Sequence, residues 1–229
     1  RVTGKIPFAW SIVFFIVAGL FIALFVYHQF ILPKPASDKG TSNNTVEGII
    51  RDFADTFVSF FTKKGIGLAI AFMLLYRLAE AMLVKIASPF LLDAREIGGM
   101  GLTTEQVGIV YGTIGVIALT LGGIIGGIVA SRQGLKFWLW PMALSITLPN
   151  AAYLLLAVYQ PESFLWINLA VAIEQFGYGF GFTAYMLYLI YFSEGNYKTA
   201  HYSICTGFMA LGMMLPGMAC WPPISFTPR

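Results

Sequence analysis

Apolar residues fill six long stretches of the chain, 7–32, 66–92, 105–130, 137–159, 163–192 and 203–221. About 20 mostly apolar residues suffice for a helix to cross the hydrocarbon core of a bilayer, so the pattern predicts six spanning helices. The first stretch is too long for a signal-peptide core and lacks a small-residue cleavage site, which makes it a retained helix. One polar break is long. It opens at Pro33-Lys34-Pro35, and in its second half Val46, Ile49, Ile50, Phe53, Phe57 and Phe60 recur at helical spacing. Glu47, Arg51, Asp52 and Asp55 fall between them, giving an amphipathic helix that lies either along the membrane surface or against the protein's own helices. Thr103-Thr104-Glu105-Gln106 is a capping-box pattern opening the third span. Trp221-Pro222-Pro223 stops the last one. The expected organisation is a first helix over 1–32, a linker over 33–65, a five-span bundle over 66–221 and a non-helical tail over 222–229.

Composition sharpens this into an all-α, polytopic membrane helix bundle. Of 229 residues, 58% are apolar and 11% charged, and mean hydropathy is +0.76. A water-soluble domain of this length cannot hide that much apolar surface, so the lipid bilayer is its first partner. A formal charge of +3 lacks the dense basic stripe of a nucleic-acid binder. Cys205 and Cys220 give neither a disulfide framework nor metal spacing. There is no Gly-x-Ser-x-Gly, no His-Glu-x-x-His and no P-loop, so the inventory points away from an enzyme and calls for no cofactor or metal. Placing 33–63 in the cytoplasm puts Lys34, Lys39, Arg51, Lys63, Lys64, Arg132, Lys136 and Lys198 inside, and Arg1, Lys5 and Arg95 outside. That is the orientation the positive-inside rule favours.

Charges within the spans are the candidate chemistry, since one at mid-bilayer costs at least about 2.5–3.5 kcal/mol. Arg77, Glu80 and Lys85 lie on the second stretch and Glu174 on the fifth. Arg77 and Glu80 are neighbours on one helix face. Lys85, rotated from Arg77 by roughly 80°, looks out over a similar side. Glu174, Tyr178, Gly181, Tyr185 and Tyr188 align on one face of the fifth stretch, and Asn150 stands beside Pro149 in the fourth. Two readings are open. Arg77–Glu80 is a structural ion pair and the tyrosines are packing, or these faces line a polar cavity. In the second case Arg77 and Lys85 attract an anionic solute, Glu174, Tyr178, Tyr185 and Asn150 contact it, and Glu80 or Glu174 carries a coupling proton.

The third stretch holds Gly108–Gly112, Gly122–Gly126 and Gly123–Gly127, small-xxx-small pairs that let helices approach closely, whether for tight packing or for sliding. Gly127, Arg132, Gly134 and Lys136 then resemble the cytoplasmic signature loop of major facilitator superfamily transporters, with Ser131 where an Asp is usual. That resemblance implies a gating loop with Arg132 as its charged member. Leu75-Tyr76-Arg77-Leu78-Ala79-Glu80-Ala81, Pro89-Phe90-Leu91-Leu92-Asp93, Gly101-Leu102-Thr103-Thr104-Glu105-Gln106-Val107-Gly108, the Gly122–Gly127 run, Glu174 to Ala184 and Tyr197 to Ser203 together resemble the AmpG-type permeases of that superfamily. The resemblance implies proton-driven import of anhydro-muropeptides through the bacterial inner membrane by alternating access. It also implies that this chain is a carboxyl-terminal part, about six spans, lacking its last span and an amino-terminal bundle. A chain opening on Arg1 rather than Met agrees with missing upstream sequence. The rival expectations are a carrier of another solute with the same fold, and a non-transporting membrane sensor or scaffold whose charges pair internally.

Overall fold

The structure, a computed structural model, describes residues 5–33 and 45–219. Lys34, Lys39, the end of the expected sixth span and the 222–229 tail therefore lie outside the described residues. Two compact units are distinguished, Arg1–Ile50 and Arg51–Arg229. All described elements are helical. In the first unit, α1 (Lys5–Ile31) is continuous over 27 residues, about 40 Å at 1.5 Å per residue. Apolar side chains encircle it, as on a helix that meets lipid all round. The amphipathic helix, α2 (Val46–Phe61), starts in this unit, where the Gly48 amide donates to Thr45 Oγ1, and continues into the second.

The second unit contains α3 (Ile66–Leu75), α4 (Leu78–Leu92), α5 (Thr104–Ile109), a π-helical turn (Val110–Gly115) and α6 (Val116–Gln133). These are followed by α7 (Leu135–Thr147), a 3₁₀ turn (Leu148–Asn150), α8 (Ala151–Tyr159), α9 (Phe164–Phe192) and α10 (Lys198–Ala219). Three expected spans are thus interrupted midway. Pro149 accounts for the break in 135–159, because proline withholds a backbone N–H. Four stretches are long and apolar enough to cross a membrane: Ile6–Ile31, Ile66–Leu92, Thr104–Gln133 and Leu135–Tyr159. Helices α9 and α10, with 29 and 22 residues, reach spanning length but fall short of that apolarity. For α9 the reason is its place in the unit. It packs against both α6 and α7, and a helix surrounded by protein has less need of an apolar exterior.

Glycines make that position possible. A Cβ on Gly122 would run into the Phe176 carbonyl and one on Gly179 into that of Leu119, so α6 and α9 meet backbone to backbone. On the other side of α9, Gly177 and Gly181 abut the Ser145 and Met142 carbonyls of α7. Of the three expected pairs, only Gly122–Gly126 is fully engaged. Around Gly108, Gly112 and Gly127 nothing stands within 4 Å of the Cβ position.

The last turns of α2 pack on the protein's own helices. Phe60 is fully buried, with the rings of Phe192, His201 and Phe208 within 6.3 Å, centroid to centroid. His201 Nε2 lies 3.0 Å from Ser59 Oγ. Lys63 Nζ donates to the Phe192 and Glu194 carbonyls at 2.6 and 2.8 Å, a basic cap on the carboxyl end of α9. At the opposite end of α4, the Arg95 guanidinium donates to the Gln160 and Pro161 carbonyls at 3.1 and 2.9 Å. The capping box opening α5 is formed with both of its bonds, Gln106 N–H to Thr103 Oγ1 and Thr103 N–H to Gln106 Oε1.

Candidate functional site

The second expected span breaks at Tyr76–Arg77, where Arg77 leaves helical geometry at φ −104°, ψ 11°. Two cross-helix bonds hold the break against α9. The Tyr185 hydroxyl donates to the Met73 carbonyl at 2.8 Å, and the Tyr76 hydroxyl donates to the Gly181 carbonyl at 3.0 Å. Irregular backbone at membrane depth is tolerated where protein surrounds it and satisfies its polar groups, as these tyrosines do.

From the break, Arg77 Nε donates to Glu80 Oε2 at 2.9 Å and Nη2 donates to the Tyr178 hydroxyl at 2.8 Å. The pair is the only ion pair among the described residues, and Arg77 and Glu80 are 8% and 4% exposed. The guanidinium also stacks near two rings, 4.7 Å from the Phe182 centroid and 5.2 Å from that of Tyr178. Its Nη1 has no hydrogen-bond partner among the described residues.

Glu174 lies one helical turn before Tyr178 and is 4% exposed. Its carboxylate accepts only from the Gln175 amide, at 2.9 and 3.2 Å, and no cation partners it among the described residues. Nearby, the Tyr111 hydroxyl of the π-helical turn and the Tyr153 hydroxyl of α8 are hydrogen-bonded to each other, and both fall within electrostatic reach of Glu174. The bundle therefore holds a polar core, with Arg77, Glu80 and Tyr178 in one chain and Glu174, Gln175, Tyr111 and Tyr153 beside it.

Other expected site residues stand apart from this core. Lys85 is exposed, with its stem beside Gly217 of α10. Arg77, at the start of the same helix, is buried in the polar core instead. The tyrosine face also divides rather than forming one open lining: Tyr185 is fully buried with its hydroxyl committed to Met73, and Tyr188 packs on Phe72 at 4.2 Å. Asn150 is half-buried in the 3₁₀ turn, with no side-chain hydrogen bond among the described residues. The expected loop after the glycine-rich span is a turn at a single residue. Helix α6 runs through Arg132 to Gln133, Gly134 takes φ 82°, and Lys136 already lies in α7. Arg132 and Lys136 are exposed and make no ion pair among the described residues, and Gly127 faces open space.

The structure adds residues that sequence reasoning passed over. Tyr111 hides in a glycine-rich stretch, where Gly108, Gly112 and Gly115 are the one sign of irregular helix. Phe182 and Tyr76 have no sign at all, since neither the stacking nor the break follows from spacing.

Comparison with known proteins gives a consistent set of relatives. No family model matches the chain. A protein named as an AmpG transporter in Rickettsia conorii is 25% identical over 202 residues, 88% of this chain and 47% of that protein. The anhydromuropeptide permease of Escherichia coli K12 is 23% identical over 213 residues, 93% of this chain and 41% of that protein. An AmpG-named protein of Rickettsia typhi is 23% identical over 80% of this chain. The resemblance expected from the quoted strings is thus found, and the chain spans about half the length of the curated relatives it matches. Long apolar helices and transporter relatives together make this a multi-pass membrane protein.

Proposed function

We propose that this chain is the carboxyl-terminal part of an AmpG-like permease of the major facilitator superfamily. In this reading it imports an anhydro-muropeptide across the bacterial inner membrane by proton symport with alternating access. The carrying observation is the polar core: an arginine, two carboxylates and three phenols inside a bundle of apolar helices, where such groups are expensive and serve solute or ion pathways. The interrupted helices support it, because transporters place substrate sites at discontinuous spans near the midplane. Arg77 and Tyr178 bind the solute's anionic group. Glu80 and Glu174 are the proton-carrying candidates, Glu174 being the carboxylate without a cation. Arg132 and Lys136 sit where a cytoplasmic gate acts, and an amino-terminal bundle supplies the facing half of the cavity.

The test is uptake of labelled anhydro-muropeptide by cells expressing the full protein, at two external pH values, with and without an uncoupler. Uptake that collapses with the uncoupler supports symport. Absence of uptake with the protein in the membrane overturns the assigned solute. One observation favours a second reading, a non-transporting sensor or scaffold: Arg77 and Glu80 are satisfied by each other inside the bundle. On that reading cells making the folded full protein take up no more labelled solute than cells without it.

A further inference from the structure

His201 is a buried titratable group that the polar core does not use. It precedes the sixth apolar stretch by two residues and is 2% exposed, where the last turns of α2 meet α10. Its Nε2 lies 3.0 Å from Ser59 Oγ and 3.2 Å from the Thr56 carbonyl oxygen. Ser59 Oγ itself donates to that carbonyl at 2.8 Å, so its proton is already committed. A carbonyl and a hydroxyl so occupied both favour a hydrogen on Nε2. Nδ1 is then the bare nitrogen, and it is buried with no hydrogen-bond partner among the described residues. A second proton must go to Nδ1, where nothing accepts its hydrogen bond.

The groups around the ring do not favour a charge on it either. The Lys63 ammonium, fixed on the Phe192 and Glu194 carbonyls, is within electrostatic reach, and Lys64 beside it is exposed. Glu194, after α9, acts on Lys63, while Asp52 and Asp55 precede Thr56 and Ser59 by one turn of α2. Along α10, Lys198, Tyr202 and Cys205 lie within about one turn of His201, and α3 carries no titratable side chain. None of the carboxylates pairs with His201 among the described residues. The Phe60 and Tyr197 rings, at 5.5 and 6.0 Å, offer no lone pair to Nδ1. Burial and Lys63 accordingly hold the imidazole below its ordinary 6.5.

We propose that His201 is a proton-released latch, which holds residues 56–60 of α2 on α10 when neutral and loosens them when protonated. On the orientation proposed from charge, the proton that releases it is cytoplasmic. The sign follows from which state tolerates the charge. Above pH 6.5 His201 is neutral whether α2 is docked or free, and docking is strongest. As pH falls below 6.5, docking weakens by up to about tenfold per pH unit, and it levels off once docked His201 is protonated too. Phe60 remains a pH-independent anchor beside Phe192 and Phe208, so the latch loosens α2 without casting it off.

The experiment follows amide hydrogen exchange of residues 56–62 in the full protein in nanodiscs from pH 5.5 to 8.0, corrected for the intrinsic rate at each pH. Wild-type protection is expected to be flat above pH 6.5 and to fall below it, while α6 and α9 keep theirs. His201→Gln keeps an N–H donor for the Thr56 carbonyl and does not titrate, so its protection is expected to stay flat. Ser59→Ala keeps His201 and removes one contact; it is expected to lower protection at every pH and retain the step. Flat wild-type protection, a full step in His201→Gln, a step shared by α6 and α9, or its absence in Ser59→Ala overturns the latch. The readout involves no solute, so it stands apart from the transport reading.

Discussion

At the scale of single residues, the energetics of the polar core follow from what each charge would lose. Removing one member of a buried pair leaves the other uncompensated, at about 3–5 kcal/mol. Arg77→Gln or Glu80→Gln alone should therefore lower the melting temperature in nanodiscs clearly, and the double variant should recover most of the loss, as a thermal-melt double-mutant cycle would read. Phe60, fully buried at the root of α2, makes a second case, with Phe60→Ala expected to cost about 3–5 kcal/mol in the same assay. Much of this was legible in the sequence. Arg77 and Glu80 pair as their i, i+3 spacing requires, and Tyr178 joins them from the face it shares with Glu174. The break at Tyr76–Arg77 was not legible, because neither glycine nor proline announces it. Tyr185 misled in another way, since a stripe of phenols along a helix cannot say which hydroxyls are already committed to a carbonyl.

Among the helices, close approach is set by a few glycines, and the sequence overstated how many. Gly179→Ala places a methyl against the Leu119 backbone and should destabilise the α6–α9 contact by about 1–3 kcal/mol or more. Gly112→Ala and Gly127→Ala meet open space, and their melting temperatures should stay at or above wild type. Small-xxx-small spacing identifies faces that permit contact, and only the three-dimensional packing selects Gly122–Gly126 among them. Helix existence was well marked by apolar runs and by the capping box at Thr103. The subdivisions within those runs were not, except where Pro149 marks one. The amphipathic helix shows the same limit: its period was plain, while its choice of partner depended on Phe60 and Lys63 finding α9 and α10.

For the whole molecule, orientation and activity are the measurable quantities. The orientation proposed from charge, with Lys63 and Lys64 in the cytoplasm, predicts that Glu96→Cys reacts with a membrane-impermeant maleimide from outside, and Arg132→Cys only after the membrane is permeabilised. Reversed labelling would invert the topology. The AmpG-like relatives and the buried polar core both support the central proposal, that Arg77 and its partners form a transport site inside the bundle. The most direct test is uptake of labelled anhydro-muropeptide by cells making equal, folded amounts of wild type and the Arg77→Gln/Glu80→Gln variant of the full protein. Losing a charge-assisted contact worth about 1.5–3 kcal/mol should slow uptake by about ten- to a hundredfold. Uptake at the wild-type rate in the double variant would contradict the account, leaving the pair as a bundle strut and placing the solute elsewhere.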